Sequence, residues 1–254
     1  MSSSPDASFP HEKPAVLFTA KAQVERSSSQ EPRARTSDRS WLATAWYRLV
    51  QQGVLQLQLV SGGIRATGQE EFPDSGGVLL ISNHLSYYDV FVLGLLLRRK
   101  LNYVARSSLF TPFLAPLIRS FGGFPIQRDG LGAEGLKETL KKLRSGGIVT
   151  FFPEGTRSGD GRLGELKPGI AVLAARAGVP VVAAGIEGTF ECWPRGRTLP
   201  HAHSIRIHYG SPIWPDQLKG MSSEQVLALL QETLRTSSQT AKDCLSRDLG
   251  LASS

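Results

Sequence analysis

A chain of 254 residues, 41% of them apolar, can bury one ample core and fits one folded domain better than two. Its net charge of +7 favours anionic partners: lipid headgroups, phosphorylated small molecules, acidic carrier proteins or nucleic acid. The two cysteines, Cys192 and Cys244, are far apart, which argues against a disulfide scaffold and for a reducing compartment.

The first 18 residues lack the basic start and long apolar centre of a secretory signal. Residues 1–40 are rich in Ser, Pro, Arg and Glu and read as a disordered tail. They hold six basic and five acidic residues, so nearly all the net charge belongs to the remainder. Residues 41–60 carry Leu42, Trp46, Leu49, Val50, Gly53, Val54 and Leu57 on one helical stripe. Five polar residues off that stripe make a poor spanning segment, since a spanning helix needs ~20 mostly apolar residues. An amphipathic helix at a membrane interface and a helix packed on the core remain equal readings.

From residue 61 on, strands and helices alternate. Strands are predicted at 78–82, 101–105, 124–127, 148–152, 179–186 and 204–210. Helices are predicted over residues 88–99, 134–146 and 168–178, the second facing Leu136, Leu140 and Leu143 inward. A last helix opens with Ser222 as cap and Gln225 three residues on. The expected fold class is α/β: a single domain at 61–254, with a mostly parallel central sheet flanked by helices.

Three polar clusters follow predicted strands directly. Asn83, His84 and Asp89 follow the strand at 78–82, Arg128 and Asp129 that at 124–127, and Glu154, Gly155, Thr156 and Arg157 that at 148–152. Ligands of parallel sheets bind beyond the carboxyl ends of the strands, so parallel strands would gather all three clusters on one edge. On an unbroken helix, His84 and Asp89 would point roughly 140° apart. They meet only if the helix begins between them, and Ser86 with Asp89 three residues later resembles a capping box. The plainer alternative is a turn histidine beside a carboxylate that complements the helix dipole. Arg157 offers a planar fork suited to phosphate. Glu154 could fix that arginine, contact a substrate hydroxyl, or form a local surface pair with it.

"NHLSYYD" at 83–89, followed about 70 residues later by "FPEGTRS" at 152–158, resembles the lysophosphatidate acyltransferase (1-acylglycerol-3-phosphate O-acyltransferase) family. "GGFPIQR" at 122–128 is similar to that family's middle block and "VPVV" at 179–182 to its fourth, although Ala183 stands where proline is usual. The resemblance spans roughly residues 64–212. It implies transfer of an acyl group from acyl-CoA or acyl carrier protein thioester to the sn-2 hydroxyl of 1-acylglycerol 3-phosphate, giving phosphatidate for phospholipid biosynthesis. His84 would be the general base, with Asp89 holding the ring's other N–H. Arg128, Arg157 and Lys167 would bind the acceptor phosphate, and Asn83, Ser86, Glu154, Gly155 and Thr156 would position substrate. Backbone amides around Gly155 are one option for the oxyanion. No metal or cofactor is called for beyond the thioester co-substrate. The expected setting is the cytoplasmic face of a membrane. Glycerol 3-phosphate or another lysolipid as acceptor, a non-catalytic lipid-binding protein and a thioesterase are the alternatives.

Other stretches weigh less. His201 and His203 alternate as on one strand face, but the set reads as surface histidines rather than a zinc site. "ECWPRGR" at 191–197 reads as an exposed loop, with contact to lipid or carrier as the alternative. "RRK" at 98–100 reads as the cationic end of a helix. Nucleic-acid binding rests on charge alone and is not expected.

Overall fold

The structure, a computed structural model, describes residues 63–112, 115–126 and 132–250, with five isolated helical positions at 45, 49, 52, 53 and 56. The predicted tail, the remainder of the helix at 41–60, and Arg128 with Asp129 lie outside the described residues.

The strands are β1 (Ile64–Thr67), β2 (Val78–Ser82), β3 (Leu101–Arg106), β4 (Gly123–Ile126), β5 (Ile148–Phe151), β6 (Val181–Glu187) and β7 (Ile205–Tyr209). They form one sheet in the order β1-β7-β6-β2-β5-β3-β4. All neighbours run parallel except β6 and β7. The predicted α/β class is therefore the one observed. β1, which the sequence reading missed, is four residues long with alternating exposure and adds itself at the edge beside β7.

The helices are α1 (Asp89–Val92), α2 (Ala115–Ser120), α3 (Ala133–Arg144), α4 (Gly169–Ala177), α5 (Thr189–Cys192), α6 (Pro215–Leu218) and α7 (Ser223–Asp248). The central strands are mostly apolar because both faces are covered. On β2, Leu79 and Ile81 join the cluster under α3, α4 and α7, while Val78 and Leu80 join the opposite one with Tyr88, Val92 and Tyr209. Each fully buried Leu or Ile in these layers contributes about 1.5–3 kcal/mol relative to exposure. Leu143 is fully buried, with Leu136 and Leu140 packed against the same core. At the start of α7, Ser222 and Gln225 form the predicted reciprocal cap.

Two expectations need correction. The helix predicted at 88–99 ends at Val92. The Tyr209 hydroxyl donates to the Leu93 carbonyl, a group that a continuing helix would use, and Gly94 follows at once. Arg99 is therefore no helix-end cation; its guanidinium donates to the carbonyls of Pro73, Gly76 and Gly146. The strand predicted at 204–210 starts at Ile205, so His201 and His203 precede it rather than sharing a strand face.

α7 lies against β6 at very close range. A Cβ placed on Gly185 would sit 2.2 Å from the Ser237 carbonyl oxygen and 2.4 Å from the Ser238 nitrogen. Backbone cannot yield as a side-chain tip can, so Gly185→Ala is expected to cost roughly 3 kcal/mol or more, read as a lower urea midpoint with an unchanged slope.

Candidate active site

Parallel pairing of β2 with β5, and of β2 with β6, puts the carboxyl ends of these strands on one edge. The segments that leave them meet there. After β2 the chain turns through Asn83–Ser86 into α1, and after β5 it turns through Phe152–Ser158. The His84 N–H donates to Glu154 Oε1 at 2.8 Å, and the Ser158 N–H donates to the His84 carbonyl at 2.7 Å. The first and third predicted clusters are thus joined through main chain.

The two members of the HxxxxD pair meet. His84 Nδ1 lies 2.8 Å from Asp89 Oδ2. Asp89 is fully buried and its oxygens accept three further bonds. The N–H groups of Leu85 and Ser86 reach Oδ2 at 2.7 and 2.8 Å, and the Thr189 hydroxyl reaches Oδ1 at 2.6 Å. With every neighbour of the carboxylate a donor, the imidazole tautomer that fits carries its proton on Nδ1, leaving Nε2 as the acceptor atom. The ring is stacked on Phe152 at 4.0 Å between centroids, and the side chain is 17% exposed. It is held on one face and reachable on another.

Half of the predicted capping box forms. Asp89 takes the Ser86 N–H, whereas the Ser86 hydroxyl accepts from the Tyr88 N–H at 3.0 Å and donates to the Trp193 carbonyl at 2.7 Å. Asn83 is buried and its amide makes reciprocal 2.8 Å bonds with the main chain of Ile186, continuing the β2–β6 pairing past the strand end.

Glu154 does not pair with Arg157. Its Oε2 accepts the Gly164 N–H at 2.8 Å while Oε1 holds His84. Burial pushes its carboxyl above the ordinary range, and those two N–H groups pull it back only in part. Arg157 instead lies over the Tyr87 ring, its guanidinium carbon 3.5 Å from the centroid. Its Nη1 is buried and has no hydrogen-bond partner among the described residues. Arg157, Thr156 and Arg162 help line an adjoining depression of about 430 Å³. Gly155 has a left-handed backbone (φ 70°), and the exposed Lys167 side chain crosses it so closely that a Cβ would meet Nζ at 2.8 Å. The Gly155 N–H donates to the Phe152 carbonyl, so it is committed to the turn and not presented as an oxyanion donor.

Sequence reading missed Thr189, Phe152 and Trp193 as parts of this edge. Thr189 follows β6 as His84 follows β2, so the strand-end rule applied to a fourth strand would have found it. Glu187, the last residue of β6, is also perturbed: burial, with Glu191 nearby and against Lys242, pushes its carboxyl up to about 7.

Comparison with known proteins agrees with this architecture. The model of the acyltransferase family matches residues 63–187. The 1-acyl-sn-glycerol-3-phosphate acyltransferase of Bacillus subtilis is 25% identical over 190 residues, covering 74% of this chain and 92% of that one. The chloroplastic 1-acyl-sn-glycerol-3-phosphate acyltransferase LPAT1 of Arabidopsis thaliana is 35% identical over 156 residues, 59% of this chain and 43% of its own, so this chain spans less than half of that longer relative. The crystal structure of the 1-acyl-sn-glycerophosphate acyltransferase PlsC from Thermotoga maritima shares the fold, with a TM-score of 0.63 at 23% identity, over 78% of this chain and 83% of that one. Residues 63–187 are an acyltransferase-family domain. The curated relatives are named 1-acyl-sn-glycerol-3-phosphate acyltransferases, which are O-acyltransferases.

Thr189→Val removes one donor from a buried carboxylate and is expected to lower acyl-transfer turnover by about tenfold and stability by roughly 1–3 kcal/mol. Thr189→Ser keeps the hydroxyl and should restore both, as read by initial rates and urea unfolding. For Glu187, the folded state holds its proton to higher pH than the unfolded state. The penalty for ionising it is therefore absent near pH 4.5, grows as pH rises and is complete above about 7. Glu187→Gln should raise the thermal midpoint at pH 8, by an amount equivalent to ~1–3 kcal/mol, with the gain vanishing near pH 4.5.

Proposed function

We propose that the protein esterifies the sn-2 hydroxyl of 1-acylglycerol 3-phosphate with an acyl group from acyl-CoA or acyl carrier protein, giving phosphatidate. The observation that carries this reading is the imidazole fixed through Nδ1 by a buried, multiply bonded carboxylate, with Nε2 left as the base. An alcohol is a weak nucleophile at neutral pH and needs its proton taken as it attacks. Nε2 of His84 accepts that proton while the alcohol oxygen bonds to the thioester carbonyl carbon. The resulting imidazolium is stabilised by Asp89. The tetrahedral intermediate then collapses, the C–S bond breaks, and the proton passes to the departing sulfur. A thiol with a pKa near ~8.5 is a good leaving group, so a separate acid is unnecessary. The attacking oxygen comes from substrate, and no enzyme ester is formed.

Arg157 is the phosphate-binding group in this reading. A buried guanidinium nitrogen without a partner is costly, and an anionic oxygen supplies its missing acceptor. Tyr87 under the guanidinium plane holds it in place. Lys167 and Arg128 are further cations proposed for the phosphate, and Glu154, Thr156 and Gly155 shape the turn that carries Arg157. The relatives' names support the acceptor, since those proteins are called 1-acyl-sn-glycerol-3-phosphate acyltransferases. No helix among the described residues is long and apolar enough to cross a membrane. The proposed setting is a cytoplasmic membrane surface, where lysolipid and thioester donor meet.

Thiol release from acyl-CoA, followed with and without 1-acylglycerol 3-phosphate, tests the reaction. Release that depends on the acceptor is expected; equal release without it means hydrolysis, and none means a binding protein. His84→Ala should lower kcat by ~10²–10⁴-fold, measured where the variant is still folded, since it also takes one donor from the buried Asp89 and costs roughly 1–3 kcal/mol of stability. Arg157→Ala should raise the acceptor KM far more than the donor KM. A change confined to the donor KM would remove Arg157 from the phosphate site.

A further inference from the structure

The segment between α5 and β7 is not used by the chemistry above, yet it is built with care. Its base is tied by two contacts between Cys192 and His201: the His201 N–H donates to the Cys192 carbonyl at 2.9 Å, and Cys192 Sγ lies 3.0 Å from the His201 carbonyl. Its tip turns at Pro194–Arg197, closed by the Arg197 N–H on the Pro194 carbonyl and by the Trp193 indole N–H on the Arg197 carbonyl. Within this fixed loop, Leu199 is 73% exposed and Arg195 and Arg197 are exposed beside it. From Cys192 to Pro215 the chain has no acidic residue.

The loop is also fastened to the site. The Ser86 hydroxyl donates to the Trp193 carbonyl, and the Trp193 ring meets Tyr87 edge-on at 6.2 Å. Tyr87 is itself 52% exposed and carries Arg157 on its face. A rim therefore runs from the proposed phosphate-binding arginine, across two amphipathic aromatic rings, into a loop that carries two exposed arginines and then the exposed Leu199.

We propose that the loop at 193–200, with Tyr87, is a membrane-contact rim that seats the site on an anionic lipid surface. This rests on the lipid-acceptor reading above. Arginines attract anionic headgroups, tyrosine and tryptophan suit the headgroup level, and a leucine held out in water gains by entering the acyl boundary. An acidic carrier protein would answer the charges but gives no reason for a leucine as exposed as Leu199. The rim brings the acceptor's phosphate to Arg157 while its acyl chain stays in the bilayer.

The test uses the full chain and two variants, Arg195→Glu with Arg197→Glu, and Leu199→Asp. Sedimentation with phosphatidylcholine vesicles, with and without phosphatidylglycerol, gives affinity. Rates are taken on vesicle-embedded 1-acylglycerol 3-phosphate and on a short-chain analogue dissolved as monomer. The double variant is expected to lose about tenfold in affinity for the anionic vesicles, and Leu199→Asp to lose affinity for both vesicle types. Rates on embedded acceptor should fall in step, while rates on the monomeric analogue stay unchanged. Unaltered vesicle affinity overturns the proposal, as does an equal rate loss on the monomeric analogue. Weakened binding of acyl carrier protein with vesicle affinity kept also overturns it, since the loop would then dock protein. A wild-type chain inactive on both acceptors would instead sink the reaction reading, with the vesicle measurement still deciding this one.

Discussion

Four donors converge on the two oxygens of Asp89, and the site is arranged around that convergence. Two are main-chain N–H groups of the turn that follows β2, one is the imidazole of His84, and one is the hydroxyl of Thr189 beyond β6. A carboxylate buried away from water is tolerated only when its lone pairs are met in this way. Satisfying it requires the chain to reverse between His84 and Asp89, which is why five residues of separation bring the pair together. It also requires the ends of β2 and β6 to stand side by side. The same bonds that make the carboxylate tolerable thus hold the ring to a single orientation.

The rest of the edge is bound to this centre through main chain rather than through charge pairs. Glu154 spans the His84 and Gly164 amides, and Asn83 bonds the backbone of Ile186. Bonds of this kind have defined directions and leave side-chain cations uncommitted. Arg157 is stacked on an aromatic face instead of being neutralised by the glutamate three residues before it. That leaves its charge available at the surface, whereas a Glu154–Arg157 ion pair would have spent it locally.

Much of this was legible in the sequence because the physics is local there. Apolar runs such as 78–82 and 148–151 announce strands covered on both faces, and polar residues placed directly after them announce the sheet edge. Where the outcome depends on a distant partner, the pattern misleads. The apolar run after Asp89 is long enough to read as a buried helix, but Tyr209, more than a hundred residues later, takes the carbonyl the helix would need. Thr189 stands in a stretch without a motif and matters only because β6 lies next to β2. Gly185 carries no signal either, although the close passage of α7 depends on its missing side chain.

That close passage bears on how the molecule is made. The face of β6 carrying Val181 and Ala183 is covered by Val226, Leu230 and Leu234 of α7, and β1 finds its only described strand partner in β7. Both arrangements join segments far apart along the chain. A nascent polypeptide emerging from the ribosome would hold a sticky, half-covered sheet until residues past 230 had been synthesised, with the loop-closure entropy of those distant pairings still to be met. Assembly of the edge that holds the candidate site is therefore tied to synthesis of α7, and the interval before it is when chaperone engagement or misassociation has its opening.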